Sequence, residues 1–154
     1  AQPIISYNYG ANNAYRVKKA FRLLLISCLT YSAILWLLAM VVPNMFAAIF
    51  TSDPALTEIT VWALRIYMGG CLLFGAQIAC QQTFIAFGNS KISAFLAMFR
   101  KIIVLIPLIY ILPVFLEDNV QAVFLAEPIA DVIAVATTLI LFRKNFKKVL
   151  DIQK

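Results

Sequence analysis

Apolar residues arrive in long runs separated by short polar breaks. Leu23 to Phe50 contains no charged residue. About 20 helical residues cross the hydrocarbon layer of a bilayer, so this run predicts a complete span, with Pro43 and Asn44 marking its exit or a kink. The segment TSDPALT at 51–57 predicts a turn in which Ser52 or Asp53 caps the next helix and Pro54 takes its first position. Leu56 to Phe87 predicts a second span, and Gly88 to Lys91 a tight turn. A third span runs from Ile92 to Phe115, with Pro107 and Pro113 placed to kink it, and a fourth from Val120 to Phe142. Ahead of the first span, AQPIISYNYG reads as the end of a helix, punctuated by Pro3 and Gly10. Ala11 to Arg22 reads as a basic connection whose Val17, Ala20 and Phe21 suit a short amphipathic turn at an interface.

The expected fold class is therefore an all-α polytopic membrane protein, with four complete transmembrane helices plus the end of a preceding one. Its expected divisions are 1–22, a helix end and a cytoplasmic basic loop; 23–142, the four-helix membrane part; and 143–154, a basic cytoplasmic tail. The chain opens on a helix-end pattern without Met and reads as a piece of a longer protein.

Composition strengthens this reading. Apolar residues make up 63% of the 154 and charged residues 13%, against about 25% charged in a soluble domain; the mean hydropathy is +0.89. The net charge of +6 gathers at predicted boundaries, with no aromatic-interleaved basic groove for nucleic acid. Arg16, Lys18, Lys19, Arg22, Lys91 and Arg143, Lys144, Lys147 and Lys148 fall on one side, joined by Arg100 and Lys101 if these snorkel out of the third span. Asp53, Glu58, Glu117 and Asp118 fall on the other. Lys and Arg favour the cytoplasmic side, which places the C-terminus there.

Catalytic signatures are lacking. There is no His, no GxGxxG and no phosphate-binding glycine loop, so an enzyme is not expected and no cofactor is implied. Cys28, Cys71 and Cys80 lie within apolar runs at spacings that suit neither a disulfide set nor a metal site. What remains is transport or channel work by polar groups inside the membrane.

Glu127 and Asp131 are the leading candidates. Four residues apart on a helix, they share a face, and carboxylates in hydrocarbon normally turn towards protein or a wet cavity. Two such groups in a low dielectric suit proton or cation exchange. Structural roles are the alternative: Asp131 bonded to a neighbouring helix, Glu127 paired with Arg65. Arg65 lies about 14 Å into the second span at 1.5 Å per residue, as a salt-bridge partner, a snorkelling base or a cavity residue. Gln77 and Gln81 lie one turn apart and suit either a polar cavity or interhelical hydrogen bonds. Tyr67, Phe74, Phe84, Phe87 and Phe99 suit either packing or cation-π contact with lipophilic cations.

Several segments, in order, resemble the MATE (multidrug and toxic compound extrusion) family: AQPIISYNYGANNAYRVKKAFR, DPALTEITVWALRIY, FIAFGNSKISAFLAMFRKIIVLIPLIYILP and LAEPIADVIA. The likeness is to the C-terminal half of a bacterial multidrug efflux-type member. It implies a share of a twelve-helix, two-lobe secondary antiporter in the inner membrane. Such a protein exchanges Na⁺ or H⁺ for amphipathic or cationic small molecules, and its N-terminal lobe would be the partner this chain lacks. Pro128 and Asp131 match the family's P-I-A-D segment, whereas Glu127 is less typical. Some members carry a coupling carboxylate in the helix that here reads Gly75-Ala76-Gln77, without an acid. A lipid or polysaccharide-precursor flippase of the same superfamily, or a non-transporting membrane scaffold, are the alternatives. A wide basic cavity would favour the first, and an Asp131 without functional effect the second.

Overall fold

The computed structural model describes residues 1–116 and 118–151, the last four of these by backbone only. Glu117 and the side chain of Lys148, both used in the charge asymmetry above, lie outside the described residues.

Every described element is helical. The order is α1 (Gln2–Gly10), α2 (Ala14–Val41), α3 (Pro43–Ala48), α4 (Pro54–Tyr67), a single 3₁₀ turn (Met68–Gly70), α5 (Cys71–Ala86), α6 (Ser90–Met98), a π-helical segment (Phe99–Leu105), α7 (Ile106–Phe115) and α8 (Asn119–Asp151). Grouped by continuity, the described residues form four helical rods long and apolar enough to cross a membrane: Ala14–Val41, Pro54–Ala86, Ser90–Phe115 and Asn119–Lys147.

The ends of the rods follow from local chemistry. Asn13 caps α2 by accepting the Arg16 backbone N–H at 3.0 Å. The helix therefore starts at Ala14, and Arg16, Lys18, Lys19 and Arg22 form its first turns rather than the loop expected for 11–22. Asn12, at φ 53°, supplies the left-handed residue that turns the chain from α1 into α2. Pro43 starts α3 where it cannot continue α2. Asp53 caps α4 through Oδ1, which accepts from the Ala55 N–H at 2.9 Å, and Pro54 takes the first helical position.

α5 and α8 form the centre. α5 packs on α2 and on α8, and α7 and the π-helical segment also pack on α8. The reason is visible along α8: Ala122, Ala126, Ala130, Ala134, Thr138 and Phe142, each four residues apart, are all buried. Small residues on one ridge let neighbouring backbones approach closely. Gly75 does the same for the α2–α5 contact, since a Cβ there would meet the Cys28 carbonyl oxygen and Ser32 Oγ at 2.6 Å. The basic ends of α2 and α8 are joined by an aromatic cluster in which Phe21 and Phe142 stack at 4.7 Å and Phe142 and Phe146 at 4.9 Å.

Candidate functional site

Beside the alanine ridge, α8 carries a second row at the same spacing: Glu127, Asp131 and Val135, all buried. Pro128 sits between the acids, and its Cβ lies 3.7 Å from where a Cβ on Gly69 would be. Gly69 and Gly70 belong to the 3₁₀ turn that interrupts the second rod. That turn lies hard against α8: a Cβ on Gly70 would stand 2.6 Å from Asp131 Oδ2 and 2.7 Å from Asp131 Cβ. The missing side chain of Gly70 is thus the space that Asp131 fills.

The partners of these acids come from the third rod. Arg100 donates through Nη2 to Glu127 Oε1 at 2.9 Å and is paired through Nε and Nη2 with Asp131 Oδ1. Lys101 Nζ donates to the same Glu127 oxygen at 3.0 Å. The Tyr67 hydroxyl approaches that oxygen at 3.5 Å. Behind Arg100, its Cζ lies 4.7 Å from the centroid of the Phe74 ring, a cation-π contact that holds the guanidinium from its open side. The Arg100 side chain is 14% exposed and those of Glu127 and Asp131 9% and 6%, whereas Lys101 is 53% exposed. Two acids and two bases balance, as burial requires.

Consecutive residues on an α-helix point in well-separated directions, yet Arg100 and Lys101 reach the same carboxylate. The π-helical segment accounts for this. Its wider turn places successive side chains closer in direction, and the Ile106 N–H bonds back five residues to the Lys101 carbonyl. Pro107 supplies the cause: without an N–H it leaves the Ile103 carbonyl without its α-helical donor. Arg100 therefore does not snorkel to the boundary. It lies about 15 Å along the rod from Ser90 at 1.5 Å per residue and turns inward onto α8.

A cavity of about 230 Å³ opens against the network, lined by Tyr67, Met68, Cys71, Phe74 and the four charged residues. Polar lining and room for several waters, at about 30 Å³ each, suit a hydrated site. No group of three or more His, Cys, Asp or Glu side chains converges among the described residues.

The other candidates sit elsewhere. Arg65 is exposed on α4 and is no partner of Glu127, whose bases are Arg100 and Lys101. Gln77 is buried, and its Oε1 has no partner among the described residues. Gln81 is half-buried. Neither glutamine lines the charged cavity. Of the aromatics, Tyr67 and Phe74 belong to the network, Phe84 and Phe87 are core residues, and Phe99 packs near Phe95 at 6.1 Å. Arg100 and Lys101 were the residues that sequence reasoning placed at the boundary; the adjacency of two bases to a following Pro107 was the available signal.

Four helical rods long and apolar enough to cross a membrane, with a charge network held between the second, third and fourth of them, define an all-helical polytopic membrane protein. The MatE family model matches residues 1–111, and the chain belongs to that family of multidrug transporters. No curated protein sequence matches it. Among solved structures it is similar to the MATE multidrug transporter DinF-BH, with 32% identity and a TM-score of 0.87 over 97% of this chain and 33% of that one. It also resembles the inward-facing conformation of a multidrug resistance MATE family transporter of the MOP superfamily, with a TM-score of 0.89, 16% identity, and coverage of 96% of this chain and 34% of that one. The outward-facing conformation gives 0.87, with 16% identity, 96% of this chain and 33% of that one. The chain spans about a third of the length of these transporters.

Proposed function

We propose that this chain is part of a secondary active antiporter that exports drugs or organic cations in exchange for Na⁺ or H⁺, and that Glu127 and Asp131 carry part of the exchange. The observation behind this reading is the charge-balanced network in which buried Glu127 and Asp131 pair with the largely buried Arg100 and the half-exposed Lys101, beside a cavity that all four line, in a chain of a multidrug transporter family. Ionisable groups at this depth are costly and commonly mark ion pathways. A carboxylate that trades its base for an incoming cation changes helix contacts between α8, the 3₁₀ turn and the π-helical segment at once. That couples ion occupancy to the packing of the lobe, while alternating access itself needs a second lobe. The membrane is proposed to be the bacterial inner membrane, with the basic ends and the C-terminus in the cytoplasm.

Efflux of the lipophilic cationic dye rhodamine 6G from cells making the full-length transporter, at matched membrane expression, tests the reading. Asp131→Asn is expected to lower ion-driven export at least tenfold, and Glu127→Gln severalfold. Wild-type export by both variants would make the two acids structural.

A further inference from the structure

The two bases of the network are not equivalent, and their difference bears on which ion the site accepts. Arg100 is fixed on three sides: Asp131 Oδ1, Glu127 Oε1 and the face of Phe74. It stands where a metal ion bridging the two carboxylates would stand. Lys101 pairs with Glu127 at 3.0 Å, and half of its side chain is exposed.

Resting on the functional reading above, we propose that Arg100 is a built-in counter-cation that occupies the metal position, so that this site exchanges a proton and excludes Na⁺. A sodium ion needs several oxygens around it and the loss of most of its hydration. The side-chain oxygens facing the cavity come from Glu127 and Asp131 on α8 and Tyr67 on α4; the other titratable or charged groups facing it are Cys71 on α5 and Arg100 and Lys101 of the π-helical segment. Oε1 and Oδ1 are already engaged by cations within hydrogen-bond distance, and Oδ2 is turned against Gly70, which leaves Glu127 Oε2 and the Tyr67 hydroxyl, too few oxygens for a sodium shell. Sodium would have to enter beside a guanidinium in a low-dielectric site, where like charges repel strongly. A proton needs no coordination shell. It forms one O–H bond on a carboxylate, and the surplus positive charge leaves with Lys101, whose exposed ammonium moves to the aqueous side of the cavity while Arg100 stays in place.

Cys71 lines the same cavity and reports on it locally. The test uses the full-length transporter carrying Cys28→Ser and Cys80→Ser, with other cysteines removed, and follows Cys71 modification by a small methanethiosulfonate at one pH in NaCl or choline chloride. With Arg100 present the rate is expected to be equal in both salts within a factor of two. In Arg100→Gln, where the metal position is vacated, NaCl is expected to slow it at least threefold, and Asp131→Asn on that background should abolish the effect. Sodium protection in the Arg100-containing protein that disappears with Asp131→Asn overturns the proposal, as does an Arg100→Gln protein indifferent to Na⁺ while it still exports rhodamine 6G. If Arg100→Gln fails to reach the membrane, the Arg100-containing protein and Arg100→Lys decide between the outcomes: sodium protection in either, lost with Asp131→Asn, overturns the proposal, and equal rates in both sustain it. Absence of all ion-driven export from the wild type would sink the antiporter reading and leave this salt comparison standing.

Discussion

Residue by residue, the network is held by what surrounds it as much as by its charges. Arg100 pairs with two carboxylates that are 9% and 6% exposed, and removing one partner of a buried ion group leaves the others uncompensated. Arg100→Met is therefore expected to destabilise the folded protein by about 3–5 kcal/mol, seen as a lower midpoint in a thermal unfolding assay in detergent. The double variant Arg100→Met/Asp131→Asn should recover part of that loss; no recovery would mean that Arg100 and Asp131 act independently. Gly70 sets the second residue-level condition. A methyl there meets Asp131 Oδ2 at 2.6 Å and Asp131 Cβ at 2.7 Å, and the Cβ, bonded directly to the α8 backbone, cannot swing away. Gly70→Ala should cost about 1–3 kcal/mol by overpacking and should impair export along with Asp131→Asn, whereas Gly10→Ala, with nothing within 4 Å of the added carbon, should leave stability unchanged.

Among the elements, the third rod explains both what could and what could not be read from the sequence. Hydrophobic run length locates spans along the chain, and the four spans, the Asp53–Pro54 helix start and the turn at Gly88 were all legible that way. Run length says nothing of the direction a side chain faces around the helix axis. The count of apolar residues after Lys101 suggested that Arg100 and Lys101 lean to the boundary; the π-helical segment ahead of Pro107 turns them onto α8 instead. Arg65, equally deep by count, is exposed on α4. Glu127 and Asp131 were legible because a four-residue spacing survives Pro128, and helix periodicity puts them together whatever they pack against. Pro107→Ala restores the N–H that the Ile103 carbonyl lacks, and so favours α-helix through 99–105. Lys101 then rotates away from Glu127 while Arg100, held by Phe74, keeps its pair. A cysteine pair placed at 101 and 127 should be bridged by a flexible bis-methanethiosulfonate reagent in the parent and at least severalfold more slowly with Pro107→Ala. Equal rates would mean that Pro107 does not set the π-helical geometry.

Across the whole molecule, Arg100 and Lys101 pair with acids of α8, yet the charge asymmetry persists without them. Arg16, Lys18, Lys19 and Arg22 open α2, Lys91 opens α6, and Arg143, Lys144 and Lys147 lie in the closing turns of α8; by the up-and-down order of the rods all lie at one end. Asp53, Glu58 and Asp118 lie at the other. The same fold matches both an inward-facing and an outward-facing transporter at TM-scores of 0.89 and 0.87, so this part of the architecture is common to both conformations. Lys and Arg near span ends set the orientation of a helical protein in the bilayer. Reporter fusions to the full-length protein test this. Green fluorescent protein joined after Lys147 should fluoresce, and alkaline phosphatase joined there should be inactive. Phosphatase inserted at the Ser52–Asp53 turn should be active. The opposite pattern would place the basic ends outside. Changing Arg143, Lys144 and Lys147 together to Gln should weaken the bias without inverting it, because the bases at the start of α2 still act on the same side.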